Sequence, residues 1–148
     1  MRLTDDEAAR RLSAHDHGVL CTLHPARGAD AVPVVYAVVD DTVTIPIDLV
    51  KPKSSTRLQR HRNLETDPRA TLLIDHWNRD DWSQLWWVRA ELQWNGPDSL
   101  EPTEPASTLL AERYAQYRDR PFAAVLELRI AGLTGWSGDD SDRTTAPS

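Results

Sequence analysis

The chain has 148 residues, of which 40% are hydrophobic and 27% are charged, and its formal net charge is -6 at pH 7. This size suits one globular domain with a real core, the acidity argues against general nucleic-acid binding, and no apolar run approaches the ~18 residues of a membrane span. The single cysteine, Cys21, excludes an internal disulfide and fits a reducing compartment, so we expect a cytoplasmic protein without a signal peptide.

The first elements are a short helix and three strands. Thr4 precedes three acidic residues, a pattern that predicts a capped helix ending near Ser13. A strand is predicted over residues 18–24, and the apolar, β-branched run "AVPVVYAVV" (31–39) predicts one strand buried on both faces. A turn at Asp40-Asp41 leads into a strand over 42–48, in which Pro46 indicates a sheet edge or a bulge.

The second half of the chain alternates strands with short helices. Ser54 or Ser55 can cap a helix over about 56–66, which Pro68 prevents from continuing. Strands are predicted over 69–75, 85–94 and 122–130, a short seventh strand in "GLTGW", and helical spacing in "ASTLLAERYAQYR". The pattern favours a mainly antiparallel sheet or barrel with short flanking helices, a single domain over 1–138, and a disordered tail over 139–148.

The stretch "KPKSSTRLQRHR" (51–62) concentrates positive charge in an acidic protein. It holds five cations, including the only two lysines of the chain, and no acid. Arg57, Arg60 and His61 are spaced to share one helix face, and a helix N-terminus favours anions. The segment therefore suits a clamp for phosphate or several carboxylates. The alternative is a solvated basic face paired with Glu65 or Asp67.

Together with its neighbours, this stretch resembles the split β-barrel flavin-binding superfamily, which includes the pyridoxamine 5'-phosphate oxidases and the deazaflavin-dependent reductases of actinobacteria. The recurring order of basic residues, an R-x-x-R-N-L-like helix, D-P-R and an apolar strand is present as Arg60, Asn63-Leu64 and Asp67-Pro68-Arg69. The segment "VPVVYAVVDDTVTIPID" is similar to the paired strands that meet the flavin ring. The resemblance spans about 4–130, and "DHW…DDWSQLWWVRA" is most similar to a subgroup described as probable coenzyme F420-dependent enzymes.

This resemblance implies a mainly β (α+β), FMN-binding-like split barrel, and a homodimer with two cofactor sites at its interface. It also implies positions for the cofactor-binding residues. The phosphate is expected at Lys51, Lys53, Ser54, Ser55, Arg57 and Arg60, the ring along Val34, Val35 and Tyr36 beside Ile47 and Asp48, and the closing strand end at Asp75, His76 and Trp77.

The resemblance also bears on the reaction. Pyridoxamine phosphate oxidation is not expected, because the chain ends in "SGDDSDRTTAPS" in place of the oxidases' substrate-binding segment. The acid-free basic stretch favours the polyanionic tail of coenzyme F420, and FMN stays open as the alternative. We expect an oxidoreductase in which hydride passes from C5 of the reduced deazaflavin to a small conjugated substrate. A non-catalytic flavin- or heme-binding protein is the rival.

No catalytic residue is assigned from the sequence. His76 and Tyr36 are candidate proton donors, and a structural hydrogen bond is the alternative for each. The "HDH" motif at His15 to His17 has no matching second cluster, so no metal site is expected. Trp86 and Trp87 must point to opposite faces of their strand, so at most one of them lines a given pocket.

Overall fold

The computed structural model of the chain describes residues 1–48, 59–96, 106–118 and 122–139. The helices are α1 (Asp5–Ala14), α2 (Gln59–Thr66) and α3 (Ala106–Arg113), with short 3-10 turns at Trp82–Gln84 and Ala115–Tyr117. The strands are β1 (His17–His24), β2 (Gly28–Val35), β3 (Ala37–Val39), β4 (Thr42–Asp48), β5 (Arg69–His76), β6 (Trp86–Trp94) and β7 (Phe122–Ser137). The mainly β prediction with short flanking helices is confirmed.

All seven strands form one antiparallel sheet in the order β2-β1-β5-β6-β7-β4-β3. The two edge strands, β2 and β3, are separated along the chain by Tyr36 alone. The sheet must therefore curl until its edges come close together, which produces a barrel with a split between β2 and β4. The inward-facing side chains of the central strands, among them Leu20, Leu72, Val88 and Leu126, are fully buried and form the core.

The prediction of one doubly buried strand over residues 31–39 is wrong. The run is divided at Tyr36 into β2 and β3, which lie at opposite edges of the sheet. Ala31, Val32 and Pro33 are exposed in the single chain. The hydrophobic pattern could not predict this division. An apolar run that crosses from one edge of the sheet to the other has the same composition as a buried central strand.

Helix α1 begins as predicted. The backbone N–H of Glu7 donates to the Thr4 hydroxyl at 3.2 Å, which caps the helix. Leu12 is buried, and its carbonyl accepts a hydrogen bond of 2.5 Å from the buried Tyr36 hydroxyl. Burial raises the pKa of Tyr36. The tyrosine between β2 and β3 thus fastens the sheet edges to α1.

Helix α2 is anchored to the sheet by Asn63, which is fully buried. Its side-chain amide donates to the Thr22 hydroxyl and to the Asp30 carboxylate, each at 2.9 Å. The Gln59 side-chain amide donates to the side-chain oxygen of Asn63 at 3.0 Å. Since Thr22 lies on β1 and Asp30 on β2, one amide ties the start of α2 to two strands.

The C-terminal half differs from its prediction in two places. The expected sixth strand and short seventh strand are one 16-residue strand, β7, which pairs with both β6 and β4. A register shift between Glu91 and Leu92 lets this long strand bend with the curled sheet. The expected helix over 106–118 ends at Arg113 and continues as the 3-10 turn Ala115–Tyr117.

None of the helices among the described residues has the length and hydrophobicity needed to cross a membrane.

Candidate functional site

A cleft of about 960 Å³ opens at the split in the barrel. Strand β3 pairs with β4 only up to Thr44, so Ile45 and Pro46 continue along β4 without β3 beside them and line the cleft. Residues 31–35 of β2 line the facing side, where no strand pairs with β2 within the described part of the chain. Pro46 therefore lies on a local edge, next to a register shift at Ile47/Asp48, as predicted.

The cleft has two chemically different ends. In the β1–β2 register Asp30 lies opposite Thr22, and Val35 lies opposite His17. At 3.3 Å per residue these two points on β2 are about 17 Å apart. The first end is lined by Thr22, Arg27, Asp30, Gln59 and Arg60, and the second by His17, Val35, Tyr114, Gln116 and Tyr117.

The first end is polar and charged. One Arg27 nitrogen donates to both Asp30 oxygens, at 2.9 and 3.1 Å, and Asn63 donates to the same carboxylate. The Asn63 amide and then the Arg27 guanidinium hold the pKa of Asp30 below its ordinary value, so the carboxylate stays ionised at neutral pH. Among the described residues that line this end, Arg27 and Arg60 carry guanidinium groups and Asp30 carries a carboxylate, a balance that favours an anionic ligand group.

The second end is aromatic and is fastened to the β2–β3 crossover. The Tyr114 hydroxyl donates to the Tyr36 carbonyl at 3.2 Å and also to the Asp16 carbonyl. The Tyr114 ring packs edge-on against Tyr117, with ring centroids 5.9 Å apart, and burial raises the pKa of Tyr114. Arg113 donates to the Tyr36 carbonyl at 3.3 Å and to the Ser13 carbonyl at 2.5 Å. The two tyrosine rings form an aromatic surface against which a flat ligand could pack.

Three of the residues expected to bind the cofactor line this cleft: Val34, Val35 and Arg60. Ile47 and Asp48 extend β4 beyond Pro46, next to it. Tyr36 does not offer its side chain to the cleft, because its hydroxyl is bound to Leu12 in the core, so we do not propose it as a proton donor. The remaining residues of the expected phosphate clamp lie outside the described residues: Lys51, Lys53, Ser54, Ser55 and Arg57.

The strand end expected to close the same pocket lies elsewhere in the single chain. Asp75, His76 and Trp77 are exposed, and none of them lines the cleft. His76 instead borders a second pocket of about 450 Å³, which includes His15 and Trp86. A single chain therefore does not bring this strand end together with the residues expected at the ring and the phosphate.

The tryptophans of β6 are oriented as predicted. The guanidinium carbon of Arg11, on the α1 side, lies 5.1 Å from the centroid of the Trp86 ring. The guanidinium carbon of Arg89 lies 5.5 Å from the centroid of the Trp87 ring. Trp86 and Trp94 pack against the core. Trp77 and Trp82 are exposed in the single chain.

Sequence reasoning missed several cleft residues. His17 was weighed only as a metal ligand, and the helical spacing around Tyr114 and Tyr117 gave no sign that these rings face β2. Arg60 lines the cleft, and the alternative of a solvated basic face stays open until its binding to an anion is measured. Asp67 pairs with Arg69 at 2.7 Å, and hydrogen bonds from Arg69 lower its pKa to about 2.

No protein-family model and no curated protein matches the chain. Solved structures do match along most of its length. One is a FAD-binding protein from Mesorhizobium loti, with 14% identity over 91% of this chain and 95% of that one and a TM-score of 0.67. Another is the conserved hypothetical protein Rv2991 from Mycobacterium tuberculosis, with 19% identity, coverage of 99% and 91%, and a TM-score of 0.66.

A third similar structure is described as an F420 reductase, with 16% identity, coverage of 84% and 93%, and a TM-score of 0.60. At these identities the similarity concerns the fold, which agrees with the curled seven-stranded sheet, its split and the short helices around it. The chain therefore has the FMN-binding-like split β-barrel fold.

Proposed function

We propose that the protein is a coenzyme F420-dependent oxidoreductase that transfers hydride to a small conjugated organic substrate. The observation that carries the proposal is the two-ended cleft: a cationic end around Arg27 and Arg60 and an aromatic end around Tyr114 and Tyr117, joined by the free edge of β2. A deazaflavin combines a flat heterocycle with a long anionic tail. The two ends suit these two parts.

The residues present fit such a ligand. No strand among the described residues pairs with the other side of β2, so its backbone N–H and C=O groups there can bind the polar edge of a heterocycle, and Val32 and Val35 offer apolar surface beside them. Arg60 can bind phosphate, and the basic segment 51–57, which precedes it in the sequence, would extend the anion site. A flavin-type ligand is thus supported by side chains and backbone alike.

A bound reduced deazaflavin supplies a hydride, and the chain supplies binding, orientation and the exclusion of water. Within the described residues the cleft is lined by β1, β2, β4, the start of α2 and the turn after α3. The strands belong to the hydrogen-bonded sheet, while the start of α2 and the turn after α3 border the cleft from outside the sheet. This division would place the ring by backbone and the tail by side chains.

We also propose that the protein is a homodimer whose outer sheet face forms the interface. Val19 on β1 and Leu73 on β5 are directly paired on this face and are 37% and 39% exposed. Leu23 and Trp136 are exposed to a similar degree on the same face, by the strand registers. A row of exposed large apolar side chains across neighbouring strands is typical of a protein–protein contact. A partner could also bring its Asp75–Trp77 strand end to the cleft.

The dimer predicts a specific effect of charge on this face. Leu73→Asp should convert the dimer to a monomer, because the interface would have to bury an unpaired carboxylate. Leu109→Asp is the matched control, since Leu109 is 37% exposed and lies on helix α3, not in the row on the strands. Light scattering of the parent and both variants measures the mass. A monomeric parent, or a dimeric Leu73→Asp variant, would contradict the proposed interface.

Coenzyme F420 should bind more tightly than FMN at matched ionic strength. The reason is that the segment 51–62 holds five cations and no acid, which suits a ligand whose tail carries several carboxylates. The affinity for F420 should also fall as salt rises, because the Debye length shortens from ~30 Å to ~8 Å between 0.01 M and 0.15 M ionic strength. Fluorescence titration measures both effects. Tighter binding of FMN would favour the alternative, an FMN-dependent oxidoreductase.

One observation favours a second candidate, a non-catalytic heme-binding protein. His17 presents an imidazole at the aromatic end of the cleft, and imidazole is a common axial ligand of heme iron. Titration with hemin, followed by its absorption band, distinguishes the two functions. A stoichiometric complex that His17→Ala abolishes, together with no binding of either flavin, would replace the proposed function with heme binding.

A further inference from the structure

The turn between β1 and β2 carries a cation that the motif analysis did not select, Arg27. The backbone N–H groups of Ala26 and Arg27 each donate to Nδ1 of His24 at 3.0 Å. Gly28 closes the turn with a φ of 86°, a conformation that other residues rarely adopt. The backbone at Arg27 is therefore fixed by local bonds, and Arg27 lines the charged end of the cleft.

The side chain of Arg27 is oriented by Asp30. One guanidinium nitrogen, Nη2, donates to both carboxylate oxygens, at 2.9 and 3.1 Å. Asp30 in turn accepts a hydrogen bond of 2.9 Å from the fully buried Asn63. The side chain of Arg27 is 61% exposed and that of Asp30 is 22% exposed, so the carboxylate is the more buried member of the pair. A chain of hydrogen bonds thus runs from the core through Asp30 to Arg27.

The bond to Asp30 leaves Arg27 able to bind a further anion. Among the described residues, the Arg27 guanidinium donates through Nη2 alone, and only to Asp30. The N–H groups on Nε and Nη1 can therefore donate to a ligand, and a pair of parallel N–H groups suits the oxygens of a phosphate. Arg60 lines the same end of the cleft from α2. A phosphate bound here would be contacted both from the β1–β2 turn and from α2.

We propose that Arg27 binds the phosphate of the cofactor and so distinguishes phosphorylated from unphosphorylated flavin-type ligands, with Asp30 as its positioning residue. This inference rests on the proposed function. It adds to the basic segment 51–62 a phosphate contact from a different part of the chain. An arginine side chain loses conformational freedom when it binds an anion, and the bond to Asp30 already restricts that freedom in the free protein. Binding through Arg27 should therefore cost little further ordering.

The test compares FMN with riboflavin, which has the same ring and ribityl chain and lacks the phosphate. Both dissociation constants are measured by fluorescence titration at about 0.15 M ionic strength, where the Debye length is ~8 Å. The parent should bind FMN at least about tenfold more tightly than riboflavin. Arg27→Ala should lose about tenfold in affinity for FMN and less than about twofold for riboflavin. The riboflavin constant thus also shows whether the ring site is intact.

Arg129→Ala is the matched control for the loss of one positive charge. Arg129 is an exposed arginine on β7 and does not line the cleft. Its variant should keep the ratio of the two dissociation constants within about twofold of the parent, because the effect of a charge outside the cleft is screened by salt. Arg27→Lys keeps the charge at the turn but loses the planar set of N–H groups, so it should restore FMN binding only in part.

Asp30→Asn tests the positioning role through the sign of its effect. If Asp30 acts only as a negative charge, its removal should strengthen the binding of FMN. If Asp30 positions Arg27, the substitution should weaken FMN binding by about threefold to tenfold and leave riboflavin binding unchanged. In the Arg27→Ala background the same substitution should no longer weaken FMN binding, because no guanidinium is left to position.

The outcomes separate the inference from the proposed function. If the parent binds FMN and riboflavin equally, or if Arg27→Ala keeps the parental ratio, the role of Arg27 is wrong and the ring site stands. Stronger FMN binding by Asp30→Asn overturns the positioning role. If only coenzyme F420 binds, the same variants are compared on F420 and on its chromophore without phosphate and tail, with the same expected ratios. If the parent binds none of these ligands, the proposed function is wrong and this inference falls with it. Circular dichroism checks the fold of each variant.

Discussion

Replacing Arg60 with alanine should raise the dissociation constant of the cofactor by about tenfold to a hundredfold. Arg60 lies at the start of α2 and lines the charged end of the cleft, where it can bind phosphate. A hydrogen bond to a charged group contributes roughly 1.5–3 kcal/mol, and each ~1.4 kcal/mol is a tenfold change in affinity. The rate of hydride transfer at saturating cofactor should change much less, because we propose that β2, and not Arg60, positions the ring.

Arg62→Ala is the matched control for this prediction. It removes the same charge from the same helix, but Arg62 is exposed and does not line the cleft. Its affinity should stay within about twofold of the parent once the long-range effect of charge is screened by salt. Equal effects of the two substitutions would mean that Arg60 acts only through the overall charge. Fluorescence titration measures the affinity, and circular dichroism checks the fold.

Lys53→Ala tests the part of the clamp that lies outside the described residues. If the basic segment completes the anion site, this variant should weaken cofactor binding to a similar degree as Arg60→Ala, and more than Arg62→Ala. Parent-like affinity in both Lys53→Ala and Arg60→Ala would remove the clamp and leave an ordinary basic helix face.

Replacing Asn63 with alanine should lower the free energy of unfolding by about 2–4 kcal/mol. The substitution removes three hydrogen bonds of a fully buried amide, to Thr22, Asp30 and Gln59. Each contributes roughly 0.5–1.5 kcal/mol, and each partner group is left without this hydrogen bond. Urea denaturation measures the effect as a lower midpoint with an unchanged slope.

Thr66→Ala is the matched control on the same helix. The Thr66 hydroxyl is exposed and makes one bond of 3.3 Å to the Arg62 carbonyl, so the change should cost less than about 0.5 kcal/mol. Cofactor binding by the Asn63→Ala variant distinguishes an anchoring role of Asn63 from a role in packing alone. If Asn63 orients the start of α2, the folded Asn63→Ala variant should also bind the cofactor more weakly. Parent-like stability would show that the buried amide is not the anchor.

The proposed dimer gives a physical reason for the position of the Asp75–Trp77 strand end. In the single chain these residues are exposed, and His76 borders the smaller pocket on the α1 side. The exposed outer-face row of Val19, Leu73 and Trp136 lies on the same side of the sheet as Asp75, by strand register. A partner subunit packed on this face would cover them. The light-scattering comparison of Leu73→Asp with Leu109→Asp therefore also tests whether a partner subunit is present that could contribute residues to the cleft.

Features that depend on neighbouring residues could be predicted from the sequence alone. The Thr4 cap, the strands at β1, β4, β5 and β6, and the local edge at Pro46 follow from capping chemistry, alternation and the missing N–H of proline. The motif around Asn63 and Asp67 was enough to identify the split-barrel fold. The clustering of cations over residues 51–62 predicts an anion site near Arg60, and this site stays a prediction.

Which residues share the cleft depends on contacts between parts of the chain that are far apart in sequence. The run 31–39 contains no local signal that its chain crosses from one sheet edge to the other at Tyr36, because the curl of the sheet depends on the pairing of strands far apart in sequence. The same pairing turns Tyr36 inward and brings His17 opposite Val35. Tyr114 reaches this place only by docking α3 on the crossover. Register and curvature are non-local, so composition and spacing could predict the strands but not the site between them.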